Sequence, residues 1–239
     1  MEPTPVDLRW RDLYRLAGVA AVLSEGVILL GIVTYFIWPY APGSTSTEAI
    51  LLLLQRDPVG GLVSLDLLLV VGNLLSIFIF LALYVSLKPV NESYALAALA
   101  VGLVGLVLLI PARPIIELVA LSGSYAAATT DAARSQILAS AGALLALFDG
   151  TGWFMNTLLG ALSLLTSSVL MLRSQTYSKA TAYAGMVTNV LVCGFFIPVL
   201  GKLLLFVSLP GYMLWYFLLA RRFFQMGGSA PHPTSIFRD

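Results

Sequence analysis

Charged residues are what this sequence is most short of. Asp, Glu, Lys and Arg supply 10% of its 239 residues, where a soluble globular domain carries about 25%. That shortfall excludes an ordinary water-exposed surface. The charges nearly cancel, at a formal +1, so there is no electrostatic case for nucleic acid as a partner. Cysteine is down to one, Cys193, which rules out an internal disulfide. Histidine is down to one, His232, so neither a His-Glu-x-x-His zinc helix nor a haem held by a mid-chain histidine is available. A Gly-x-Ser-x-Gly nucleophile turn is missing too. No metal and no cofactor is expected.

What the chain has in excess is apolar length: 59% of it is hydrophobic. A helix needs about 20 apolar residues to cross the ~30 Å hydrocarbon of a bilayer. Six stretches meet that requirement: Leu16–Trp38, Val59–Leu87, Ser93–Ala112, Gly150–Leu172, Ala180–Gly201 and Leu203–Ala220. Lipid offers backbone groups no partner, so each is expected to be a helix. The expected fold class is therefore all-α, a polytopic membrane bundle with six transmembrane helices and the lipid bilayer as its first partner. The first run contains Glu25 and is followed by no small-x-small cleavage site, so it reads as a retained helix and not a signal peptide. Nine Lys and Arg flank one side of these runs (Arg9, Arg11, Arg15, Lys88, Arg173, Lys179, Arg221, Arg222, Arg238) and four the other (Arg56, Arg113, Arg134, Lys202). That bias places both termini in the cytoplasm, in the cell membrane.

Scarce polar residues recur at a fixed offset. A shift of 83 carries Asp66 onto Asp149, Asn73 onto Asn156, Thr47-Glu48-Ala49 onto Thr130-Asp131-Ala132, and Gly102 onto Gly185. Such an offset spans an even number of crossings, so the copies would be parallel hairpin repeats. Each hairpin carries an outer segment with a short helix, expected to lie flat at the outer interface or to cover the bundle. Thr45, three residues before Glu48, has capping-box spacing, and Thr130 is a second candidate cap. The stretch from Pro111 to Ala128 reads as a kinked extension of the third span. The tail, residues 226–239, has Gly, Pro and Ser without apolar periodicity and is expected to be disordered.

Depth along the helices, at ~1.5 Å per residue, sorts the candidate site residues. Glu25 and Asn189 lie ten residues from Arg15 and Lys179, near the midplane. Asn73 and Asn156 lie ~22–26 Å from the inner anchors. Asp66, Asp149, Arg113 and Glu117 fall at the outer boundary. A charge at mid-bilayer costs at least ~2.5–3.5 kcal/mol on insertion scales. Glu25 is therefore either a proton- or ligand-binding group or a hydrogen-bond partner for an amide such as Asn189. Asn73 and Asn156 suit interhelical contacts. Asp66 and Asp149 suit helix caps, or pairing with Arg113 or Lys202 in an outer vestibule. Arg113 and Glu117, four apart, could pair on one helix face.

The segments "YRLAGVAAVLSEGVILLG", "TTDAARSQILASAGALLALFDGTGWFMNTLLGALSLL" and "GYMLWYFLLARRF" resemble a bacterial and archaeal membrane family described as domain of unknown function 4386. The likeness covers most of residues 12–225. It implies a multi-pass membrane protein of this size and supplies no activity.

The functional expectation is a bundle with an outward-facing polar pocket, floored near Glu25 and rimmed by Asp66, Asp149 and Arg113. It would bind or pass a small polar or amphiphilic solute, with proton coupling through Glu25. Two other classes compete. One is a scaffold or sensor whose polar residues only join helices. The other is an intramembrane hydrolase in which Asp66 and Asp149 share a proton, suggested by Asp-Gly-Thr-Gly at 149–152.

Overall fold

The computed structural model describes residues 8–37 and 45–228. Among them every regular element is helical. A 3-10 turn at Leu8–Trp10 leads into α1 (Arg11–Ile37), followed by α2 (Thr47–Arg56), α3 (Pro58–Ser64), α4 (Leu67–Leu87), α5 (Glu92–Leu109), α6 (Ile115–Ala127), α7 (Asp131–Leu145), α8 (Thr151–Arg173), α9 (Lys179–Cys193) and α10 (Gly201–Gly228). Among the described residues, five helical stretches are long and apolar enough to cross a membrane. They are Arg11–Thr34, Leu67–Leu87, Glu92–Leu109, Asp131–Arg173 and Leu203–Gly228; the fourth joins α7 to α8 in one run of 43 residues.

Two hydrophobic cores organise these helices. α1, α4, α5, α8, α9 and α10 pack each on the next in that order, and α10 returns to α1, closing a ring. The half of the ring that holds the chain's described ends is packed solid, with Tyr14, Leu83, Leu87, Met171, Trp215, Leu219 and Phe223 in one buried cluster. Glycines let the helices approach there. A Cβ on Gly102 would stand 2.6 Å from the Phe80 ring, and one on Gly185 would stand 2.6 Å from the Trp215 indole. At the same end, Arg11 and Arg15 both donate from Nε to the Gly227 carbonyl, at 2.9 and 3.0 Å. Cations thus sit on the negative end of the α10 dipole, tying last helix to first.

The second core lies over the opposite end. α2 and α3 connect α1 to α4, and α6 and α7 connect α5 to α8, so all four emerge from one rim. Ile50, Leu51, Leu54, Leu65, Leu118, Ala141, Leu145 and Phe148 bury one another there. Ser122 Oγ donates to the Leu51 carbonyl (2.8 Å) and Gln55 Nε2 to the Ser122 carbonyl (2.7 Å), locking α2 to α6. These four helices therefore form a small packed cap with its own interior.

Several boundaries differ from the sequence reading. The cap of α2 is Ser46, whose hydroxyl accepts from Ala49 N–H at 3.2 Å, and not Thr45. Thr130 caps α7 as expected, accepting from Ala133 N–H. The run expected to be one span from Val59 breaks at Asp66, which adopts the left-handed conformation at φ 60°. α6 is a separate helix after a turn, because Pro111 and Pro114 remove two backbone donors in succession. The stretch expected as the fifth span yields only a 15-residue helix, continued by a 3-10 turn at Gly194–Phe196. Residues 226–228 extend α10 and do not belong to a disordered tail. The rest of that tail, with His232, and Trp38 at the end of the first expected span lie outside the described residues.

Candidate functional site

Above the solid half, the ring is hollow. A cavity of about 310 Å³ is lined by residues from all six ring helices, at the small end of the ~300–1,000 Å³ typical of ligand pockets. Its position follows from its lining: Leu69 to Phe80 on α4 and Trp153 to Leu164 on α8 belong to the first turns of helices that start beneath the cap. Most of the wall is apolar or aromatic. The polar members are Ser24, Asn73, Ser76, Asn156, Thr157, Tyr212 and Tyr216, and none of the lining residues is ionisable at neutral pH.

Asn73 and Asn156 meet across this cavity. Asn156 Nδ2 donates to Asn73 Oδ1 at 3.1 Å and to the Gly105 carbonyl at 3.0 Å. Asn73 Nδ2 donates to the Leu106 carbonyl at 2.8 Å. The two amides thus join α4, α5 and α8. Interhelical bonds of this kind contribute about 0.6 kcal/mol on average, so several are needed to fix the arrangement. Behind the wall, fully buried Asn189 donates to the Gly185 carbonyl (2.8 Å) and accepts from the Tyr212 hydroxyl (3.2 Å). Its amide is occupied there, and Glu25 is not its partner.

At the rim, Arg113 is the central group. Its side chain is 3% exposed. Nε donates to Asp66 Oδ2 at 2.9 Å; Nη1 donates to the Ala112 and Phe148 carbonyls at 3.0 and 3.1 Å. The guanidinium carbon lies 4.8 Å from the Phe148 ring centre and 5.0 Å from that of Trp153, within cation–π range. Arg113 thereby links the start of α4, the α5–α6 turn, the cap core and a wall residue of the cavity. Burial pushes the Asp66 carboxyl up from its ordinary value, opposed by the Arg113 charge; burial likewise lowers Arg113, opposed by Asp66.

Neither aspartate caps its helix. Asp66 makes no side-chain cap bond, because its left-handed backbone turns the carboxylate to Arg113. Asp149 is exposed, and Gly150 takes the N-cap position of α8. Asp149 is still close enough to act electrostatically on both Asp66 and Arg113. Glu117 is exposed on the first turn of α6, and the ion pair of Arg113 is with Asp66. Glu25 is half-buried on α1 and is not among the lining residues; its neighbour Ser24 is.

Of the eight candidates, then, Asn73 and Asn156 line the cavity, Asp66 and Arg113 pair at its rim, and Asn189 braces Tyr212 from behind. Sequence reasoning missed Ser24, Thr157, Trp153, Tyr212 and Tyr216. Serine, threonine and aromatics are ordinary in apolar helices, so only their convergence singles them out.

A family model described as "Domain of unknown function (DUF4386)" matches residues 16–221. Neither the curated proteins nor the solved structures yield a match.

Proposed function

The chain belongs to that family, and from this premise we propose that it is an integral membrane protein whose helix ring holds a binding chamber for a small uncharged solute. All six ring helices cross the bilayer in this reading. α9 is ~22 Å long at 1.5 Å per residue, and its 3-10 continuation supplies the remainder. Both termini lie in the cytoplasm and the helical cap faces outward, as the Lys and Arg bias suggests. The two capped hairpins, α1–α4 and α5–α8, are parallel repeats; the hydrogen bond between Asn73 and Asn156, equivalent under the 83-residue shift, supports the pairing.

The observation that carries the reading is the cavity walled by every ring helix. A bundle serving only as a scaffold would gain stability by filling it, since each missing contact costs dispersion energy. The wall also revises the solute. Without an acid or base among the lining residues, an ion entering the chamber would find no countercharge, and desolvation would oppose it.

Gly160 gives a clean test. It lines the cavity, and a Cβ there would meet nothing within 4 Å. Gly160→Leu should fold, fill the chamber and raise Tm. In a thermal-shift screen of neutral small molecules against protein in nanodiscs, compounds that stabilise the wild type should leave this variant unmoved. Shifts of equal size in both proteins would defeat the chamber reading.

A further inference from the structure

Glu25 is the carboxyl that the chamber leaves unused. It sits ten residues from Arg15, ~15 Å along α1, and is half-buried. Acids within a membrane span ordinarily face the bundle interior or a water-filled cavity, and pair with other polar groups. Glu25 does neither. It is absent from the chamber wall, and it makes no hydrogen bond or ion pair with the described residues.

Its direction follows from its neighbours on α1. Ser24 is on the chamber side. Val27 faces α4, its Cγ1 3.5 Å from a Cβ built on Gly72, and Gly18 lies under Phe224 of α10, whose ring would be 2.9 Å from a Cβ built there. Glu25 is turned ~100° from Ser24 and ~200° from Val27, and stands about two turns beyond Gly18. It therefore projects along the α10 side of α1. Neither adjacent helix answers it, since α4 and residues 203–220 of α10 contain no Asp, Glu, Lys, Arg or His. The same face of α1 runs Val22, Glu25, Leu29, Ile32, and its three apolar members are exposed. Steps of three, four and three residues are the a/d seam by which two helices pack side by side. Exposed valine and leucine are ordinary toward lipid tails; a carboxyl among them is not.

We propose that two copies of the chain meet along this face of α1, with their Glu25 carboxyls hydrogen-bonded to each other across a two-fold axis along the membrane normal. Copies inserted the same way hold Glu25 at equal depth, and a two-fold contact sets a residue on the axis against itself. A lone carboxylate in hydrocarbon neutralises. The neutral acid offers one O–H donor and keeps acceptor capacity, so two of them close a reciprocal pair of hydrogen bonds. Gly26 beside it is exposed, and a Cβ there would meet nothing within 4 Å, which lets a facing helix approach closely. Lipid tails on the same face would leave the carboxyl unpaired.

The test counts subunits by single-molecule photobleaching of the full-length protein in liposomes, over a range of protein-to-lipid ratios. The wild type should pass from monomer to dimer as its density rises. Glu25→Ala should raise the dimer dissociation constant about 3- to 20-fold, the range for interhelical hydrogen bonds in membranes. It should not lower the Tm of the monomer in dilute detergent, because Glu25 has no partner within the described chain. Glu25→Gln, whose amide also carries a donor and an acceptor, should keep the dimer. Gly26→Leu should weaken it by holding the helices apart. In a Cys193→Ala background, oxidation should join copies through Leu29→Cys and not through Leu162→Cys, an exposed position on α8 across the ring. A wild type that stays monomeric at every density, an undiminished dimer in Glu25→Ala, or cross-linking through Leu162→Cys alone would overturn the contact. A monomer destabilised by Glu25→Ala would assign the carboxyl to the chain's own packing and overturn it as well. None of these outcomes touches the chamber, which Gly160→Leu tests separately.

Discussion

Single residues in this molecule are held by more than one kind of force, and Arg113 is the fullest case. Its guanidinium is buried, so its charge requires Asp66, two carbonyls and two aromatic faces at once. Removing one partner of such a pair leaves the other uncompensated. Asp66→Asn should therefore destabilise by about 1–3 kcal/mol, less than a fully buried pair because Asp66 is 40% exposed at its side chain. Replacing Arg113 with Met in the same background removes the stranded charge, so the double variant should recover part of the loss in a denaturation assay. Equal or additive losses would show that the pair is not coupled. At this scale the sequence was partly legible. Asn73 and Asn156 stood out because amides are rare in apolar helices. Ser24 did not, because a serine in a helix ordinarily satisfies itself, and only the folded structure reveals that this one has no partner.

Elements show where glycine is needed and where it is spare. Gly185 lies under Trp215, which is 0% exposed, so the α9–α10 crossing has no room for a methyl. Gly185→Ala should cost about 1–3 kcal/mol through overpacking. Gly160→Ala, facing open space in mid-helix, should instead gain about 0.5–1 kcal/mol from reduced chain entropy. Thermal denaturation of the two variants in one detergent would show opposite shifts. Both glycines fall in apolar helical runs, and their sequence neighbourhoods do not separate them. Element boundaries were hard to read for a related reason. Hydropathy marks where apolar residues run on, but α3 and α4 are both apolar, and the break between them is a backbone event at Asp66 with φ 60°. The cap was only partly legible likewise: α2 reads as a segment that lies at the interface or covers the bundle, and α6 as an extension of the third span, until the two are packed on each other.

At the scale of the whole molecule, closure of the ring determines what the chain can do. α1 and α10 are joined by the two arginines on the Gly227 carbonyl, and the cap bridges α4, α5 and α8 through Arg113. The chamber is then bounded by a solid half on one side and the cap on the other, and its orientation decides which compartment it serves. That orientation can be read by labelling. With Cys193 replaced by Ala, single cysteines at Ser135 on α7, Gln175 in the α8–α9 turn and Val199 beyond α9 occupy exposed positions, Val199 being 99% exposed. A membrane-impermeant maleimide applied to intact cells should modify Ser135→Cys and Val199→Cys and spare Gln175→Cys until the membrane is opened. Val199 is the decisive position, because α9 is the one ring helix too short to qualify by length. If it labels with Ser135, six helices cross and the cap faces outward. If it labels only with Gln175, α9 turns back within the bilayer, and the chamber wall it contributes through Val192 is reached from the cytoplasmic side.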